Sequence, residues 1–186
     1  MKPFQVTVFG GAQPKPGEPV YEQALQLGKL LGNQGWTVLT GGYIGTMEAV
    51  SRGAAEAGSH VIGITCADIE IYRPVKANQW VAEEIKYPTL RERLLALIDK
   101  CDAAVALPGG VGTLTEILMT WNQLLIHTIS PRPLILIGSG WKNIVNTLFT
   151  EMDPHIPDSQ RHWVYFAVDH NQAVSMLQEF TRSGKV

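Results

Sequence analysis

Five short apolar runs constrain the fold of this chain more than any other feature. Residues 6–9, 38–40, 61–64, 103–107 and 134–137 are mostly β-branched or leucine-rich, and nearly continuous rather than alternating. Strands buried on both faces read this way. Stretches of helical spacing lie between them. Residues 19–32 open on Pro19, residues 45–57 stop at Gly58, and residues 89–100 carry Glu92 three positions after Thr89, as a capping box does. Strand and helix alternate throughout, which implies an α/β protein: a Rossmann-like doubly wound parallel sheet with helices on both faces, joined by right-handed crossovers. With 186 residues the expectation is one such domain over residues 1–186.

The stretch 65–88 is the least regular. It contains Pro74, Pro88, Tyr72, Trp80 and Tyr87, and reads either as a lid over a pocket or as a long connection with one edge strand at 81–85. A second loop at 153–162 leads to a strand at 164–168 and a closing helix at 171–180. The helix expected at 113–127 is apolar at Leu114, Ile117, Leu118, Trp121, Leu124 and Leu125. That stripe is wide enough to face both the core and a partner subunit.

Several function classes lose support on composition. A net charge of −2 lacks the basic footprint of a nucleic-acid binder. No run reaches the roughly 18 apolar residues of a membrane span, and the expectation is a soluble, cytoplasmic chain. Cys66 and Cys101 have no CxxC spacing, and the five histidines no HExxH spacing, so no metal site is expected. No lysine lies in the glycine-rich loops, which argues against pyridoxal chemistry, and no cofactor is expected.

Glycine pairs follow three of the five runs: FGGAQ at 9–13, TGGYIGTME at 40–48 and PGGVGTLTE at 108–116. In an open parallel sheet these loops lie at the carboxyl ends of the strands, where ligands bind. Bare glycines let the backbone approach a ligand, and the amides opening the next helix offer free donors at a positive dipole end. A phosphate fits that description. The candidate phosphate or substrate contacts are Gly10, Gly41, Gly42, Gly45, Thr46, Pro108, Gly109, Gly110, Gly112 and Thr113, with the Glu116 carboxylate one helical turn further on. Glu48 is either a ligand contact or a charge favoured at a helix start. No GK[ST] follows a glycine loop and the first turn lacks GxGxxG, which disfavours Walker-type triphosphatases and dinucleotide dehydrogenases. Arg93, near the start of its helix, reads from spacing alone as either a solvated charge or a site residue, and spacing does not bring it to Glu116.

These motifs resemble the LOG family of cytokinin-activating phosphoribohydrolases. Pro108, Gly109, Gly110, Gly112, Thr113 and Glu116 match its PGGxGTxxE motif without a gap, and Glu92 and Arg93 match an ER pair fifteen residues upstream of the proline. The resemblance covers residues 6–150. It implies hydrolysis of the N-glycosidic bond of a nucleoside 5'-monophosphate, cytokinin-type or AMP-like, to free base and ribose 5-phosphate. Arg93 and Glu116 would be the catalytic residues, in a dimer with its sites near the interface. The partner expected is a small nucleotide or phosphosugar. The chain departs from the family at Thr40 and Glu48, where glycines are usual, and at Arg91 and Leu94 in place of a histidine and a lysine. The alternative is a non-catalytic nucleotide or molybdenum-cofactor carrier, since related folds with a PGG loop act in that way.

Overall fold

The computed structural model describes residues 3–183. Seven strands form one parallel sheet: β1 (Gln5–Phe9), β2 (Thr37–Thr40), β3 (Val61–Cys66), β4 (Glu83–Tyr87), β5 (Ala103–Ala106), β6 (Leu134–Ile137) and β7 (Val164–Ala167). Their spatial order is β4-β3-β2-β1-β5-β6-β7, with every neighbouring pair parallel. The expected doubly wound α/β architecture is the one observed.

The helices are α1 (Pro19–Asn33), α2 (Thr46–Glu56), α3 (Ala67–Tyr72), α4 (Leu90–Asp99), α5 (Val111–Leu125), α6 (Ser139–Glu151), α7 (Asp158–Arg161) and α8 (His170–Arg182). One core layer packs Tyr21, Leu27 and Leu31 of α1, Val50 of α2 and Leu177 of α8 on Val6, Val38 and Val105. The opposite layer packs Leu97 and Ile98 of α4, Ile117 and Leu124 of α5 and Trp141 of α6 on Phe9, Leu39 and Ile64. Burying one such leucine or isoleucine side chain contributes about 1.5–3 kcal/mol. The near-continuous apolar strands follow from this double coverage.

Strand order reverses at β1. The chain steps outward from β1 to β4, then returns through α4 to β5 on the other side of β1. Loops leaving β1 and β5 diverge to opposite faces there, opening a crevice at the strands' carboxyl ends.

Three expectations shift. The edge strand expected at 81–85 lies at Glu83–Tyr87, because pairing with β3 begins at Ile62 and Glu83 while Val81 packs beside Gly63 ahead of it. Charged Glu83, Glu84 and Lys86 suit an edge strand but mask its apolar signal. The irregular stretch 65–88 contains the short helix α3. Helix α5 starts at Val111 rather than at Thr113, with Gly110 as its N-cap. The capping box at the start of α4 is present: the Thr89 hydroxyl accepts from the Glu92 N–H at 3.2 Å and the Glu92 carboxylate accepts from the Thr89 N–H at 3.1 Å.

Candidate functional site

Helix α4 follows β4, so its first turn sits at the same sheet edge as the glycine loops. Arg93 is buried there, with 7% of its side chain exposed. Its Nε donates to the Ile64 carbonyl at 2.7 Å and its Nη2 to the Gly41 carbonyl at 3.1 Å. The guanidinium lies 5.6 Å from the Tyr43 ring centroid. Its Nη1 stands 4.0 Å from Glu116 Oε1, within a single chain. No second subunit is needed to bring the two together, which resolves what spacing left open.

Glu116 occupies the second turn of α5, with 12% of its side chain exposed. Burial pushes its carboxyl up to about 7, against the opposing pull of Arg93. At 4.0 Å the guanidinium is too far for a hydrogen bond, so it tempers the desolvation without cancelling it. A carboxyl balanced near neutrality is suited to moving protons.

Both residues face a cavity of about 470 Å³, a common size for small-molecule sites. Gly10, Gly110, Gly112 and Thr113 also line it, as do Tyr43, Met47, Ile69, Tyr72 and Arg73. Val111, Gly112 and Thr113 of the first turn of α5 line this space, and their amides have no carbonyl one turn back within the helix. Trp141 holds the loop from behind, its indole N–H donating to the Leu107 carbonyl at 2.9 Å.

The remaining candidates sit behind the cavity wall. A methyl group on Gly41 would lie 2.0 Å from Arg93 Nη2, so this glycine makes room for the arginine. Gly42 accepts both the backbone N–H and the side-chain amide of Asn78 on its carbonyl, at 2.8 and 3.0 Å, and Gly45 caps α2. The Thr46 hydroxyl is buried and donates to the Gly11 carbonyl at 3.1 Å, tying the first loop to the second. Glu48 lies in the first turn of α2, away from the cavity, where a carboxylate complements the helix dipole. Gly109 lies against Thr113: a methyl on it would come 2.2 Å from Thr113 Oγ1. Pro108 is also outside the lining. At Thr40 the hydroxyl accepts from the Gly42 N–H at 3.1 Å and contacts Ser51 Oγ at 3.0 Å, a local brace that glycine would lack.

Of the lining residues that reading the sequence missed, among them Met47, Ile69 and Arg73, the one packed on the Arg93 guanidinium is Tyr43. Its hydroxyl accepts from the Cys66 N–H at 2.8 Å and donates to the Cys66 carbonyl at 3.0 Å, which fixes its ring beside Arg93. Its only sequence signal is its place inside a glycine loop. Among the described residues, no three His, Cys, Asp or Glu side chains converge as metal ligands would, and no helix is long and apolar enough to cross a membrane.

The SLOG cluster4 family model matches residues 3–150 of the chain. A cytokinin riboside 5'-monophosphate phosphoribohydrolase of Mycobacterium tuberculosis is 32% identical over 135 residues, covering 72% of this chain and 70% of that protein. One from Arabidopsis thaliana is 28% identical over 183 residues, covering 95% and 83%. Among solved structures, a molybdenum cofactor binding protein of Rippkaea orientalis superposes with a TM-score of 0.74 at 24% identity, over 97% of this chain and 98% of that one, which establishes the shared fold. A glycine-lined crevice holding an arginine and a glutamate, together with these similarities, places the chain in the SLOG cluster4 family, as a relative of the LOG phosphoribohydrolases.

Proposed function

We propose that the protein hydrolyses the N-glycosidic bond of a nucleoside 5'-monophosphate, giving free base and ribose 5-phosphate. The observation carrying this reading is the Glu116 carboxyl, held near neutrality beside Arg93 in the cavity onto which the first turn of α5 opens. The phosphate docks on the amides of Val111, Gly112 and Thr113 and on the Thr113 hydroxyl, where the helix dipole favours an anion. This leaves the ribose C1' toward Glu116, one turn further along.

As the bond from C1' to the base nitrogen lengthens, positive charge grows on the sugar ring, and ionised Glu116 stabilises it. A water attacks C1', and Glu116 accepts its proton. The electron pair of the broken bond leaves with the base, which takes up a proton in turn. Arg93, held by two backbone carbonyls, lowers the pH at which buried Glu116 gives up its proton, so that part of it is ionised at neutral pH.

The homodimer belongs to the same proposal. Leu118 on α5 and Ile126 at its C-terminal cap are 43% and 61% exposed, and Ile144 on α6 and Met152 at its C-terminal cap are 50% and 44% exposed, an apolar surface suited to a second copy. Sedimentation equilibrium tests it, a monomer at micromolar concentration being the contrary result.

The decisive experiment incubates the purified protein with AMP and with isopentenyl-AMP, and assays free base and ribose 5-phosphate. Release abolished in Glu116→Gln, with ribose 5-phosphate still bound, supports hydrolysis. Tight nucleotide binding without release, across a panel of monophosphates, would instead support a carrier.

A further inference from the structure

Arg93 and Glu116 form the partition between two cavities. Beside the first lies a second, of about 490 Å³, over the opening turns of α4 and α5. Asp68, Thr89, Arg91, Leu94 and Thr115 line only this second space, whereas Leu90, Arg93, Gly112 and Glu116 belong to both walls. We propose that the second cavity receives the nucleobase, and that Arg91 selects bases presenting hydrogen-bond acceptors on their edge. This deepens the phosphoribohydrolase reading and rests on it.

A glutamate that serves the bond between sugar and base must stand where the two halves of the substrate meet. Gly10 and Thr113 line the first cavity alone, so the phosphorylated sugar lies on that side. The leaving group then falls on the far side of Glu116, in the second cavity. Leu90 and Leu94 offer an apolar wall for a flat ring.

Of the polar side chains that line this second space alone, all but one are already hydrogen-bonded. Asp68 Oδ2 accepts from the Leu90 N–H at 2.8 Å, Thr89 is committed to the capping box, and the Thr115 hydroxyl donates to the Val111 carbonyl at 2.9 Å. Arg91 makes no hydrogen bond or ion pair among the described residues, and it is exposed. A guanidinium has donors only. It matches the paired O6 and N7 acceptors of a 6-oxopurine, whereas adenine sets an amino donor beside N7. Inosine and guanosine monophosphates are therefore the preferred substrates over AMP.

The test compares wild type, Thr115→Trp and Arg91→Leu, both substitutions at exposed positions that leave the core intact. Each is assayed for turnover and binding of IMP, GMP and AMP, and for binding of ribose 5-phosphate, which fills only the first cavity. Wild type should prefer IMP and GMP over AMP by about tenfold, the scale of one bidentate arginine contact. Arg91→Leu should erase that preference, and Thr115→Trp should weaken every nucleotide by about tenfold or more, with ribose 5-phosphate affinity unchanged in both. Unaltered nucleotide affinities in Thr115→Trp, or an unaltered base preference in Arg91→Leu, would overturn the inference. Wild-type protein that binds the nucleotides but frees no base sinks the hydrolase reading instead, and the same dissociation constants then still decide where the base sits.

Discussion

Arg93 Nη1 and Glu116 Oε1 face one another at 4.0 Å, each on a helix that starts at the carboxyl edge of the sheet. This separation is close enough for the cation to act on the acid, yet too long for a hydrogen bond to lock it ionised. The proposed reaction needs the carboxylate form, so kcat/KM should rise with pH through a limb near 7, the value to which burial lifts Glu116. Arg93 lowers that value, so Arg93→Gln should move the limb to higher pH. A pH profile of base release from 5.5 to 9 in both proteins checks this, and an unmoved limb would detach Arg93 from the acid.

The same burial has a consequence for stability. Glu116 ionises at about 4.5 when unfolded and at about 7 in the folded chain. A raised carboxyl binds its proton more tightly in the native state, so its contribution is fully present below 4.5 and is lost as pH climbs through 7. A shift of this size corresponds to about 3 kcal/mol. Glu116→Gln, which never ionises, should match wild type near pH 4.5 and exceed it in stability above pH 7.5. Its kcat should nonetheless fall by about 10²–10⁴. Urea unfolding at the two pH values reads the stability difference directly.

Much of this was legible in the sequence, for reasons that can be assigned to particular residues. Strands β1, β2, β3, β5 and β6 announce themselves because helices cover both faces, leaving no charged residue in them. Strand β4 lies at the edge, where Glu83, Glu84 and Lys86 replace that signal, so its expected position was two residues early. The PGG loop and Glu116 were legible because all their parts lie within one strand-to-helix turn. Placing Arg93 required knowing that a helix after a strand begins at that strand's carboxyl end, and that β3 and the loop after β2 would supply the Ile64 and Gly41 carbonyls that hold it. Tyr43 and the second cavity stayed hidden because they arise from contacts among elements far apart in the chain.

Gly41 separates structural need from ligand contact. A methyl there would come 2.0 Å from Arg93 Nη2 and 2.4 Å from Met47 Sδ, so Gly41→Ala must push the guanidinium off its carbonyl partners. Destabilisation of about 1–3 kcal/mol is expected, the usual cost of overpacking. The acid limb of the pH profile should rise as Arg93 withdraws from Glu116. Thermal unfolding together with that profile tests it: lost stability with an unchanged limb would mean that Met47 yields and Arg93 stays.

Gly112 should behave in the opposite way, because nothing lies within 4 Å of a methyl built on it. It is the second residue of α5, where alanine is the better helix former, so Gly112→Ala should hold or raise stability, by up to about 1 kcal/mol. The added methyl would protrude into the space assigned to the phosphate and crowd the amides beside it. Affinity for ribose 5-phosphate should therefore fall while the melting temperature holds. Thr113→Val provides the complementary case, keeping the buried shape but removing the hydroxyl. One hydrogen bond to a charged group contributes about 1.5–3 kcal/mol, so its dissociation constant should rise by about ten- to a hundredfold. Calorimetric titration of the two variants with ribose 5-phosphate measures both effects. Wild-type affinity in both would place the phosphate away from the start of α5 and remove the basis for setting C1' beside Glu116.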